Sequence, residues 1–343
     1  MASPYYLLWI RREGSRVSSI YTGSCAMGKG MLMDERRPPK GLIVDLITPL
    51  SDTGGIDRGS LRRLLERVLP HVDGVLLGSP RVGEGRSLGL NHKVDLLASA
   101  LALIGDDTPM FFWISGESSE ATLEILVALE DTLRTVDYRG NVFWLDSPLY
   151  YHSNRGLYKH YEELTSLADN PIVLHNDPGL IEFLDRPLKR SNIRTSIVKE
   201  LGVMEGIRGL VFCGSLARVN NYQRSLSRRS DFRVYDGDET RFLEHPSMSG
   251  IVSMGANVAP EVWSMITRSS LGIRDDEDPG RLFELGALLR DLWRMYRENP
   301  VRIIKEALVD LKVIAFPACT PKTEPLRDSV TPLVEFLSHY HLQ

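Results

Sequence analysis

The sequence predicts an α/β fold, a (β/α)8 TIM barrel with a C-terminal three-helix appendage, on three observations. From Gly41 onward, short runs rich in β-branched and aromatic residues alternate with longer stretches whose apolar residues recur at helical spacing. Eight such units occupy about 230 residues, close to the roughly 250 of a closed barrel of alternating strands and helices. The first apolar run ends in TPLSDTGG rather than a GxGxxG phosphate turn, so the rival, an open doubly wound sheet, lacks its usual opening mark.

The strands are expected at 41–50, 74–79, 109–115, 141–147, 171–176, 208–213, 232–237 and 250–257. Each is short and β-rich and is bounded by Gly, Pro, Asn, Asp or Ser. Helices are expected between them over 57–72, 91–104, 119–136 and 156–168. A fifth falls on the stretch TSIVKELGVMEGI, where Ile197, Val198, Leu201 and Met204 make one apolar face and Lys199 and Glu200 stand outside it. Three further helices follow the eighth unit, over 281–299, 301–313 and 327–341, and their apolar faces need a partner in this chain or a neighbour. The barrel is therefore set at 39–273 and the helical region at 274–343. Residues 1–38 are read as a poorly ordered extension, with Met31 and Met33 as alternative starts.

The 343 residues are 43% apolar and 25% charged, and 41 basic against 45 acidic side chains leave a net charge of -4. That balance offers no broad basic surface to nucleic acid or an anionic membrane, so a small-molecule partner is expected. The run YYLLWI at 5–10 is too short to span a membrane. Cys25, Cys213 and Cys319 are far apart and odd in number, which points to a reducing, cytoplasmic chain with no disulfide framework.

In such a barrel the reacting groups come from the C-terminal ends of the strands and the loops after them. His175, ending the fifth strand before Asn176 and Asp177, reads as a general base titrating near neutrality or as a hydrogen-bonded histidine without chemistry. Asp236, Asp238 and Glu239 after the seventh strand would suit a metal together with His175. Acids there more often cap the next helix, and neither metal nor cofactor is expected. Cys213 reads as a nucleophile if a base lowers its pKa, or as a small buried residue. Asp45 breaks an apolar strand and is either a site residue or the buried partner of an arginine such as Arg81. The basic segment SLSRRSDFR (225–233) reads as a solvated helix end and turn.

Several stretches carry a resemblance. LITPLSDTGGIDRGSLRRLLE, SPLYYHSNRGLYKHY, HNDPG, GSLARVNNY, DGDE, GIVSMGANVAPEVW and NPVRIIKEALVDL stand in the order and near the spacing of the motifs of the dihydrodipicolinate synthase / N-acetylneuraminate lyase family of pyruvate-dependent aldolases and lyases. The resemblance covers Gly41 to about Val313. It implies a lyase acting through a Schiff-base lysine at the end of the sixth strand, a proton-relaying tyrosine, a TTGE loop for the keto-acid carboxylate, and a homodimer or homotetramer. A protonated imine serves such chemistry because its nitrogen is an electron sink for the neighbouring carbon.

This chain departs from that pattern. If RGLVFCGSLARVN is the sixth strand and the start of its helix, the lysine position falls on Val211. If instead Lys199 ends the strand, it forms the imine, but RGLVFC is left over as a ninth strand, and the alternation favours the first register. His175 stands at the tyrosine position, and GSPRVGEG replaces the loop, with Ser79, Gly83 and Glu84 still recognisable. Tyr151, alone or with Tyr150, keeps the aromatic pair that in the family reaches a neighbouring active site, and Gly237 and Val252 fall at strand ends that line the family's site. The resemblance thus implies a small oxo-acid-like ligand held by these residues without a lysine. The alternatives are a working lyase through Lys199 and a catalytically silent homologue with an interaction role.

Overall fold

The computed structural model describes residues 36–184, 190–246, 249–273, 278–320 and 327–340. Eight parallel strands close on themselves in chain order: β1 (Gly41–Asp45), β2 (Gly74–Leu77), β3 (Met110–Trp113), β4 (Val142–Asp146), β5 (Ile172–Asn176), β6 (Ile207–Phe212), β7 (Arg233–Asp236) and β8 (Gly250–Ser253). β1 pairs with both β2 and β8, which closes the barrel. The expected architecture is therefore the one found.

The helices form where apolar spacing and caps coincide. Asp57 accepts from the Ser60 backbone N–H to cap α1 (Arg58–Val68), and Leu61, Leu64, Leu65 and Val68 bury one face against the barrel. At about 1.5–3 kcal/mol per fully buried aliphatic side chain, that stripe outweighs the helix's weak intrinsic propensity. α2 (Leu90–Leu101), α3 (Ser119–Val136) and α4 (Leu157–Leu167) follow β2, β3 and β4, and Ser118 caps α3. α5 (Thr195–Leu201) buries Val198 and Leu201 and leaves Lys199 exposed. Next come α6 (Leu216–Leu226), α7 (Glu239–Glu244) and α8 (Pro260–Ser270).

Most strands are shorter than the apolar runs suggested, the first and the eighth by the most, because side chains claim the backbone beyond them. β1 stops at Asp45, where the Asn257 amide donates to the Asp45 carbonyl at 2.7 Å and its oxygen accepts from Ile47 N at 3.1 Å. β8 stops at Ser253 and turns through a 3-10 segment, Gly255–Asn257, because the Glu239 carboxylate accepts from Ser253 Oγ and Gly255 N. SLSRRSDFR is a helix end and turn with Ser227, Arg228 and Ser230 exposed, but its Arg229 pairs with Asp231 at 2.7 Å and donates to the Gly202 carbonyl, and the buried Arg208 pairs with the same aspartate. This network fastens the end of α5 to the start of β7.

The three appended helices, α9 (Pro279–Tyr296), α10 (Pro300–Asp310) and α11 (Arg327–His339), find their partners within the chain. α9 packs on α7, α8, α10 and α11, burying Leu285, Leu289, Leu292 and Tyr296. Residues 1–35, most of the expected N-terminal extension, lie outside the described residues. Its last residues dock on the barrel, where Arg233 donates to the Pro38 carbonyl and Tyr235 to the Pro39 carbonyl.

Candidate functional site

The C-terminal ends of the strands converge on one small cavity, of about 10 Å3, roughly the room for a single water. Six residues expected from the sequence line it: Asp45, Ser79, His175, Val211, Gly237 and Val252. His175 on β5 is paired in register with Val211 on β6. Leu76, Pro80, Arg81, Cys213 and Met254 complete the wall, and among the described residues no lysine reaches it.

The sequence offers Arg81 as a partner for Asp45, but in the structure it pairs with Asp177. From the loop after β2 its Nε donates to Asp177 at 2.8 Å and its Nη1 to the Gly237 carbonyl at 2.9 Å, so the side chain bridges the ends of three strands across the cavity mouth. Burial alone would raise the Asp177 carboxyl, but the guanidinium beside it holds it below the ordinary range. Among the described residues Asp45 has no ion pair. Burial drives its pKa up to about 7, opposed by a hydrogen bond from Ser79 and the charge of Arg81, and its Oδ1 has no hydrogen-bond partner. A carboxyl so placed exchanges its proton near neutrality.

His175 is not a base titrating near neutrality. Burial pushes its pKa down to about 4 from 6.5, against the pull of Asp177. Its tautomer follows from its neighbours. The Trp113 indole N–H donates to Ser147 Oγ at 2.8 Å, and Ser147 Oγ lies 2.7 Å from His175 Nδ1. The serine proton therefore goes to Nδ1, and Nε2 carries the ring hydrogen toward Cys213 Sγ, 3.7 Å away. Cys213 thus faces a donor rather than a base, and burial raises its thiol further, which removes the nucleophile reading. The imidazole is expected to stay neutral down to about pH 5 in nitrogen NMR spectra. Because its folded pKa is depressed, stability is expected to be full above pH 6.5 and to fall as the pH drops toward 4.

Other expected site residues stand elsewhere. Glu84 turns away from the cavity: its carboxylate binds Lys305 Nζ, which is fully buried, and accepts from Thr320 N at 2.6 Å. Gly83 shapes the loop, because a Cβ there would lie 2.2 Å from Ser79 N. Its carbonyl accepts from Thr48 at 2.7 Å and its N–H donates to Ser79 Oγ at 3.0 Å. Tyr151 is outside the cavity, donating to the buried Asp146 at 2.9 Å and lying 2.8 Å from His160 Nε2. Lys199 is exposed on α5, on the outside of the barrel. The acids after β7 do not gather with His175: Asp236 pairs with Arg241, Asp238 caps α7, and Glu239 accepts from Ser253, Gly255 and Tyr296.

The sequence matches the Dihydrodipicolinate synthetase family over residues 38–330. It is 27% identical over 236 residues to the 4-hydroxy-tetrahydrodipicolinate synthase of Thiobacillus denitrificans, covering 67% of this chain and 74% of that protein. It is 25% identical over 302 residues to that of Pseudomonas syringae pv. syringae, covering 84% and 97%. Among solved structures, the dihydrodipicolinate synthase of Thermotoga maritima superposes with a TM-score of 0.74 at 19% identity, covering 89% of this chain and 100% of that one. The chloride-inhibited enzyme of Acinetobacter baumannii, complexed with pyruvate, gives a TM-score of 0.72 at 20% identity over 89% and 99%. With the barrel, the appended helices and the strand-end motifs all in the family's order, this chain belongs to the dihydrodipicolinate synthetase family.

Proposed function

We propose that this chain binds a small oxo-acid-like ligand at the C-terminal end of the barrel through hydrogen bonds and charge, without a lysine imine. The observation that carries this reading is Val211: at the strand-six position paired with His175, an apolar side chain lines the cavity where the family resemblance calls for an amine. What surrounds it suits a carbonyl or carboxylate. His175 Nε2–H is a donor, Arg81 brings a positive charge at the mouth, and Asp45, hydrogen-bonded to Ser79, supplies a proton that is exchangeable near neutrality. Donors fixed before a ligand arrives lose little to reorganisation when charge develops on its oxygen. By the same resemblance, the chain works as a homodimer or homotetramer.

A cavity of about 10 Å3 admits no oxo-acid until Arg81 releases Asp177 and Gly237. An anionic ligand competes for that guanidinium, and an arginine fork pairs well with a carboxylate. The test is a thermal melt with pyruvate, 2-oxobutyrate and oxaloacetate. At ligand concentrations about 100-fold above Kd, a stabilisation of about 2.7 kcal/mol is expected. Arg81→Met should abolish it while leaving the fold intact. The tightness of the cavity favours one other reading, a catalytically silent homologue with an interaction role, and no shift with any oxo-acid would support that instead.

A further inference from the structure

A second site opens beside the barrel centre, between the loop after β2, the end of β3 and the first turns of α3. It is a pocket of about 360 Å3, and Trp113, Ser115, Tyr150 and Lys93 are among its lining residues. Trp113 and Tyr150 meet edge to face with centroids 5.8 Å apart, giving the pocket two aromatic walls.

Lys93 is the unusual member. It is 2% exposed, and among the described residues no carboxylate pairs with it. Its Nζ has the Trp113 carbonyl at 3.4 Å and the Trp113 ring face at 4.4 Å, which fix its position but bring no full negative charge. It also lies in the first turn of α2, its own N–H bonded to the Gly89 carbonyl, where the helix's positive end opposes a cation. A buried ammonium with no counter-ion sheds its proton readily, and burial lowers the pKa of this amine to about 7. A neutral amine at the wall of a pocket is a nucleophile.

We infer that Lys93 and its pocket form a covalent capture site for a small aldehyde or ketone with a planar, apolar body. The Nζ lone pair attacks the carbonyl carbon, and the adduct loses the carbonyl oxygen as water together with the two amine protons, leaving a C=N bond to the lysine. The flat body then lies in the pocket against the side formed by Trp113 and Tyr150. No oxidant or reductant is needed, and the step reverses by hydrolysis.

The experiment uses the full chain at pH 7, benzaldehyde as probe, borohydride to convert any imine into a stable secondary amine, and peptide mapping to locate it. Lys40, Lys159, Lys199 and Lys312 are exposed and serve as internal controls. Label at Lys93 is expected at about ten times the rate of any of these, because a far larger fraction of its amine is unprotonated. The rate at Lys93 should level off above about pH 7, whereas the controls keep rising. Labelling of Lys93 no faster than the exposed lysines, or with the same pH profile, would overturn the proposal. Lys93→Arg, confirmed as folded by its melting curve, should lose the fast label alone.

Discussion

Replacing Lys305 with methionine is expected to lower stability by about 3–5 kcal/mol, read as a loss in urea midpoint with an unchanged slope. Lys305 is fully buried on α10 and binds the Glu84 carboxylate in the loop after β2, as well as the Ala318 carbonyl at 2.6 Å. Removing the ammonium leaves a buried carboxylate with, among the described residues, only the Thr320 donors. Glu84 also holds a left-handed backbone angle, φ 55°, a conformation the ion pair helps to enforce. Because Arg81 stands three residues earlier in the same loop, the variant is also expected to loosen the bridge over the cavity. Substituting both residues with apolar ones of similar size, Glu84→Met with Lys305→Met, should recover much of the loss, since an intact buried pair contributes little beyond its own desolvation. A single Lys305→Met change costing under about 1 kcal/mol would place this contact in solvent-screened company.

Asp45→Asn is expected to act in the opposite direction and stabilise the protein at neutral and alkaline pH. The folded carboxyl keeps its proton up to about pH 7, whereas the unfolded chain releases it near 3.8. Between those values the native state holds the extra proton, so stability is full below about pH 4 and falls as the pH rises through 7. At about 1.4 kcal/mol per unit the penalty reaches about 4 kcal/mol, and the asparagine, which never ionises, should regain about 2–4 kcal/mol at pH 8 and almost nothing at pH 4. Urea titrations of both proteins at the two pH values decide the matter. Equal stabilities at pH 8 would mean that Asp45 is ionised and well solvated in the fold. Retaining a destabilising carboxyl at the barrel centre is what a site residue does.

The barrel was legible because its signals are local. Each strand is a short β-rich run, each helix face repeats at 3.6 residues, and the strand ends mark where side chains must converge. Asp45, Ser79, His175, Val211, Gly237 and Val252 come together for that reason alone. Glu84 misled, because its partner Lys305 is 221 residues away and no periodicity links them. The tautomer of His175 was also out of reach: it depends on Trp113 and Ser147, brought in from two neighbouring strand ends. Arg81 escaped because the path of its loop, and not its place in the chain, decides what it reaches. Nothing in the sequence marks Lys93, because only the fold brings the Trp113 ring over its amine.

The central claim, that this barrel works without a lysine imine at its centre, is tested by incubating the Lys93→Arg protein with pyruvate, reducing with borohydride and weighing it. In that background the side pocket contributes no amine. The account predicts an unchanged mass, because the strand-six position is Val211 and Lys199 points outward from α5. A stoichiometric pyruvyl adduct that maps to Lys199 would contradict it.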